Sequence, residues 1–293
     1  MAYSIQQAQT DKQRLCTKGF VLDAVQRLLQ SYTEKRNPLR AHLDLRFLAR
    51  LRSARVEAAP ASLKSEGKLL PVKGGFLILY REDLHPHRRN LTICHEIAHT
   101  FFYENVEVHP ARILPHSPKE EKLCFFAAEH LLVPSALLRE LTAAYSSLEP
   151  LPLLKGLARQ FEAAAWVVAK RITSEPTTAP QMVVTFWDMR DFRATLFPES
   201  VPLSDSTTTI KKISKKTAIS ASLKPLLPPY RRDRLEELVF PLVCKVAADH
   251  APRKCEVQLQ TRKIGINFAV EAEKLYGSHQ VVVSVCHSNG PQS

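Results

Sequence analysis

The segment His95-Glu96-Ile97-Ala98-His99 constrains this chain more than any other. An HExxH pattern has chemical meaning only on a helix, where residues four apart lie one above the other and both imidazoles can point at one ion. Glu96 then sits about 100° round from His95, beside such an ion rather than on it. Ile93, Ile97 and Phe101 recur at i, i+4 and i+8, and Cys94 and Phe102 widen that stripe. The spacing predicts a buried helix over about 90–105, and a buried His pair needs partners. Three fixed positions also arise by chance, and two satisfied core histidines that bind nothing are the bland alternative.

A catalytic zinc takes three protein ligands and keeps a fourth position open, so a further ligand is expected on another helix. Ser117-Pro118-Lys119-Glu120 is a capping box with Pro at the first helical position, which predicts a helix over 118–133. With Ser117 as N-cap, Glu120 is expected to fold back and be spent on capping. Glu121 then lies within roughly 60° of Cys124, Phe125, Ala128 and Leu132, in the middle of an apolar face where an ionised carboxylate needs a metal or a partner. A buried ion pair with an Arg such as Arg88 is the competing reading. Glu120 and Glu129 stay open as third ligands beside the preferred Glu121, with His130 as a further fallback. For steadying an oxyanion the candidates are Tyr103, one turn beyond His99, and His85, His87 and His109 in the flanking loops.

Elsewhere the patterning is plainer. Val21, Ala24, Val25, Leu28 and Leu29 predict a helix over 18–33, and Leu43, Phe47, Leu48 and Leu51 one over 41–53. The run Phe76–Tyr80 after Gly74-Gly75 predicts a strand. A helical hairpin is expected over 135–173, and the Thr/Pro stretch near 176 marks a domain boundary. Beyond it, strands are expected over 181–197, a polar linker over 203–229, a helix over 231–249, and strands at 255–260, 263–270 and 280–286. The fold class expected is α+β. Residues 1–176 would be a mainly helical domain with a small sheet, carrying the candidate metal site. Residues 177–293 would be a smaller mixed C-terminal regulatory or docking domain.

Composition narrows the function classes. With 45% hydrophobic and 24% charged residues the chain is neither disordered nor fibrous. No apolar run approaches the ~20 residues of a membrane span, and the polar start lacks a secretion signal, so no membrane role is expected. Six Cys without CxxC spacing suit a reducing compartment, which makes the expected location the cytoplasm. The net charge of +12 gathers in clusters such as Lys211-Lys212 and Arg231-Arg232, which carry no interleaved aromatics and read as solvated faces.

The segment Arg89–Phe102 resembles the signature of the ImmA/IrrE family of zinc metallo-endopeptidases, which is gluzincin-like. That family's second motif reads roughly E-x-x-A/C-N/D-x-F-A-A-x-L-L-M-P. Glu121-Lys122-Leu123-Cys124 and Leu131-Leu132-Val133-Pro134 are similar to its two ends, while Phe125 stands in place of Asn/Asp. Sliding by one residue restores Phe126-Ala127-Ala128 but moves Glu120 into the ligand slot. Leu154–Phe161, ending at Lys170-Arg171-Ile172, is similar to the family's helix-turn-helix-like segment, so the resemblance implies a zinc metallopeptidase domain over 1–176 with such a segment at about 150–173. The resemblance spans about 40–175. It implies Zn2+ as cofactor, peptide hydrolysis with Glu96 as general base, and a bacterial protein that cuts a helix-turn-helix transcriptional repressor to relieve repression of stress-response or mobile-element genes. The competing class is a DNA- or partner-binding regulator with a structural metal site. The pair of helices around 154–172 favours it, but Ala163–Ala165 and Trp166–Val168 make an apolar recognition helix, poor for reading base edges. Direct nucleic-acid binding is therefore not the favoured reading.

Overall fold

The computed structural model describes residues 15–36, 43–103, 116–145, 149–175, 182–188, 215–219, 252–260, 265–274 and 280–287, with residues 233, 235, 238–240, 242–243 and 246–247. The chain divides into two compact units. One is Met1–Leu141 with Gly156–Val167, and the other is Thr142–Lys155 with Val168–Ser293.

The first unit begins with α1 (Lys18–Arg36) and α2 (Leu45–Arg50), the latter capped by Asp44, whose side chain accepts from the Phe47 N–H. The helix expected over 41–53 is thus shorter, because Leu51–Ser53 turn into a strand. Three strands follow: β1 (Ala54–Ala59), β2 (Gly67–Val72) and β3 (Gly75–Arg81). Only β3 was expected. Their order is β1-β3-β2, with β1 parallel and β2 antiparallel to the central β3. Pro71 is tolerated because β2 lies at an edge, where a missing N–H costs no ladder bond. The tight β2–β3 turn places Gly74 at φ +82°.

Next comes α3 (Pro86–His99), which starts earlier than the periodicity predicts and stops at His99. A 3-10 turn over Thr100–Tyr103 replaces its expected continuation. Arg52 Nη2 donates to the Thr100 carbonyl at 3.0 Å and its Nε to Thr100 Oγ1 at 3.1 Å, a cation at the helix's negative end. Packed on α3 is α4 (Pro118–Leu132), and the core between them holds Ile97, Phe101, Cys124, Ala128 and Leu131, all fully buried.

The expected hairpin over 135–173 is three helices, α5 (Ser135–Ala144), α6 (Pro150–Gln160) and α7 (Ala165–Ser174). A short connection at 161–164 joins α6 to α7.

In the second unit, β4 (Met182–Asp188), β5 (Lys215–Ile219), β6 (Arg253–Gln260), β7 (Gly265–Lys274) and β8 (Gln280–His287) form an antiparallel sheet of order β5-β4-β8-β7-β6. Strand β5 falls inside the stretch expected to be a linker. Backbone pairing with β4 from Val183↔Ile219 to Trp187↔Lys215 gives its polar sequence a partner that periodicity does not reveal. The rest of 203–229, Arg231-Arg232 and the boundary at 176 lie outside the described residues. The described helical residues Leu235, Val239, Val243 and Val246 pack on the alternating Val281, Val283 and Val285 of β8. The architecture is therefore α+β, a mainly helical first part with a small sheet followed by a smaller mixed part.

Candidate metal centre

Two helices build the site. The last turn of α3 carries His95, Glu96 and His99, all under 9% exposed. The first turn of α4 carries Glu120 and Glu121, and Ser117 caps it by accepting the Glu120 N–H at 3.1 Å. His95 Nε2 and His99 Nε2 stand 3.1 Å apart. Glu121 Oε2 lies 3.2 Å from His95 Nε2 and Oε1 lies 3.5 Å from His99 Nε2. A tetrahedral zinc with ~2.1 Å bonds spaces its ligands ~3.4 Å apart, so two imidazole nitrogens and one carboxylate at these separations fit the ion. Buried His95 Nδ1 has no hydrogen-bond partner among the described residues.

The two glutamates exchange the places expected of them. Glu120 is the buried one, 1% exposed, and its Oε1 accepts from His99 Nδ1 at 3.0 Å and from His116 Nδ1 at 2.7 Å. It is not spent on capping. The Glu121 side chain is 40% exposed and faces a cleft of about 570 Å³. The buried stripe of α4 runs through Glu120, Leu123, Cys124, Ala127, Ala128 and Leu131, which turns Glu121 and Phe125 towards the opening. The proposed ion pair between Glu121 and Arg88 is not formed; Arg88 Nε donates to Glu66 at 2.6 Å instead.

Strand β2 forms another wall. Gly67 to Pro71 line the cleft with His95, Glu96, His99, His116, Glu121 and Phe125. The Leu69 backbone N–H faces the Glu96 carboxyl. At Gly67 a Cβ would come within 2.4 Å of Thr92 Cγ2 and 2.8 Å of Glu96 Oε1, so the strand touches the helix where only glycine fits. Phe125, at the slot where the resemblance expects Asn/Asp, stays 43% exposed with its ring 4.2 Å from that of His95.

Electrostatics follow burial. Desolvation, reinforced by the Glu121 charge and opposed by the Leu69 N–H, pushes Glu96 up to about 8. Desolvation also lowers His99 to about 4, against the pull of Glu120, which keeps that imidazole neutral as a metal ligand must be. The hydrogen bond from His95 holds Glu121 below its ordinary value.

The remaining sequence candidates lie elsewhere. Tyr103, in the 3-10 turn, packs its ring at a tilt against Phe76, 5.5 Å between centroids, and is not among the residues lining the cleft. His85 caps the far end of α3, its ring 4.9 Å from that of His87, and ten residues of helix (~15 Å) separate it from His95. Glu129 sits two turns from Glu121, ~12 Å along α4, outside the converging atoms. His130 Nδ1 donates to the Phe126 carbonyl at 2.8 Å. His109 lies outside the described residues. Sequence reasoning missed His116, whose ring is 4.0 Å from His99. The available signal was its place four residues before Glu120, just ahead of the cap.

Residues 55–173 match the Peptidase M78 model, described as the IrrE N-terminal-like domain. No curated protein matches the chain. Among solved structures, one named "Mycobacterium tuberculosis transcriptional regulator" is similar over 96% of this chain and 81% of that one, with a TM-score of 0.51 and 13% identity. At that identity the likeness is one of fold.

Proposed function

With residues 55–173 as an IrrE N-terminal-like domain of the metal-dependent peptidase type, we propose that this chain is a zinc endopeptidase. Its substrate would be a helix-turn-helix transcriptional repressor, and cutting it would relieve repression of stress-response or mobile-element genes. The observation that carries this reading is the convergence of His95 Nε2, His99 Nε2 and both Glu121 oxygens beside buried Glu96 in one cleft. These three residues would hold the ion. When bound, zinc supplies a Lewis acid for the scissile carbonyl and makes water acidic enough to attack near neutral pH. Glu96 accepts the proton of the attacking water and delivers it to the leaving amine nitrogen. Burial raises its pKa in the metal-free chain, and a nearby dication would lower it again, favouring the carboxylate that accepts the proton. Residues 67–71 bring backbone to the cleft against which an extended peptide can lie, and Leu91 and Phe125 offer apolar contact.

The test has two arms. Elemental analysis should find about one zinc per chain, lost in the His95→Ala/His99→Ala double variant; full occupancy in that variant sinks the site. Co-expression with helix-turn-helix regulators from the same genome, using wild type and Glu96→Gln in parallel, should show shortening only with wild type. If no regulator is shortened, or if both proteins cut equally, the protease reading fails.

The α6–α7 pair and the name of the structural neighbour favour a second reading, a DNA- or partner-binding regulator whose metal is structural. Against it, Val167, Val168, Ala169, Arg171 and Ile172 of α7 are all buried, leaving little of that helix for base edges. Salt-dependent DNA binding by the purified chain would support this second reading.

A further inference from the structure

We infer that Glu120 is a positioning residue: through Oε1 it fixes the ring orientation and tautomer of His99 and ties His116 to the same point at the cleft. The inference rests on the zinc site proposed above. The contacts at 3.0 Å and 2.7 Å are the distances at which a carboxylate oxygen accepts from an Nδ1–H on each imidazole. With its Nδ1 proton engaged, His99 presents the Nε2 lone pair to the atoms of His95 and Glu121, the tautomer a metal ligand needs. The oxygen that enforces this comes from a side chain 2% exposed, adjacent in sequence to the ligand Glu121. One helix turn thus supplies a direct ligand and, from the next residue, the group behind another ligand.

His95 has no equivalent partner at Nδ1 among the described residues, so Glu120 bears the orientation of the His pair from one side. Cys124 Sγ, 3.3 Å from His99 Nδ1, makes a rival arrangement conceivable in which His99, Glu120 and Cys124 hold the ion themselves.

Chelator competition for zinc on the purified full-length chain separates these cases, comparing wild type, Glu120→Ala, Glu120→Gln and Glu121→Ala. Loss of a group behind a ligand costs ~10–100-fold in metal affinity, so Glu120→Ala should weaken zinc by that factor. Glu120→Gln, whose amide oxygen still accepts from Nδ1–H, should recover part of the loss. Circular dichroism of the metal-free variants shows whether the fold is kept, and the isosteric Gln variant serves if the Ala variant is not folded. Cobalt-loaded wild type should lack a sulfur-to-cobalt charge-transfer band. Unchanged affinity in both Glu120 variants overturns the inference and leaves the zinc site standing. A sulfur band, or a Glu121→Ala variant that binds normally while Glu120→Ala does not bind, makes Glu120 a ligand and also overturns it. Wild type that binds no zinc removes the site itself and this inference with it.

Discussion

Burial, more than any neighbouring charge, sets the behaviour of Glu96. Replacing it by Gln keeps the shape and the Leu69 contact but removes the proton acceptor. Hydrolysis should fall by at least ~10²-fold while zinc content stays the same, measured by repressor cleavage and elemental analysis on one preparation. The metal-free protein gives an independent check. There the folded chain keeps the Glu96 proton up to about 8, while the unfolded chain releases it near 4.5. The folded state binds more protons between those values, so this residue's contribution to stability falls as pH rises through that window. Denaturant unfolding should show the Glu96→Gln advantage over wild type growing from pH 5 to pH 8; a constant difference refutes this. Cys94 follows the same logic, since burial alone pushes its thiol up to about 12. It should resist thiol reagents in the native protein and react on unfolding. His95, Glu96 and His99 were legible as a group because helix spacing is local. The exchange between Glu120 and Glu121 was not, because the rotation of α4 about its own axis is set by its packing on α3. His116 carried only a local signal, its place four residues before Glu120, and it is the tertiary contact through Glu120 that brings it to His99.

At the scale of elements, the cleft depends on how closely β2 approaches α3. Thr92 is β-branched and stiff within the helix, so a methyl at Gly67, 2.4 Å from its Cγ2, has to push the strand away. Gly67→Ala should cost ~1–3 kcal/mol in denaturant unfolding and lower activity further by pulling the Leu69 N–H from Glu96. Normal stability together with normal activity would show that the strand yields freely. The cap on α4 offers a milder perturbation. Ser117→Ala should destabilise by ~1 kcal/mol and weaken zinc binding, because the first turn it secures carries both Glu120 and Glu121. Sequence patterning found α3, α4 and β3 because each has a clear period or a clear cap. It missed β1 and β2 for identifiable reasons. Ala54-Arg55-Val56-Glu57-Ala58-Ala59 is poor in strand formers, and Gly67–Val72 contains both Gly and Pro. Their pairing with β3 supplies what their sequences lack. Strand β5 escaped notice likewise, since Lys215-Lys216-Thr217 shows no apolar alternation and owes its state to β4.

For the whole molecule, every residue assigned to the site falls within Met1–Leu141, in the first compact unit. The second unit gathers Thr142–Lys155 as well as the C-terminal sheet. Within it Lys155 Nζ reaches Glu273 at 2.6 Å, and Lys254 pairs with Glu149 and with Glu271. The Lys254–Glu149 pair is open to solvent, which screens it, so it is too weak to hold cut pieces together unaided. The Thr/Pro stretch near 176 and the Lys- and Pro-containing segments beside β5 are the expected sites of attack. Limited proteolysis should therefore cut near 174–181, or within 203–229 outside the paired β5. Because the proposed ligands His95, His99 and Glu121 all precede both places, the nicked protein should keep its zinc and most of its affinity for a chelator-competed ion. Two unfolding transitions, only the earlier-numbered unit's shifted by added zinc, are the expected calorimetric result. Resistance at both places with one cooperative transition would argue against separate domains. Loss of zinc on nicking would show that the metal centre draws on residues beyond 176.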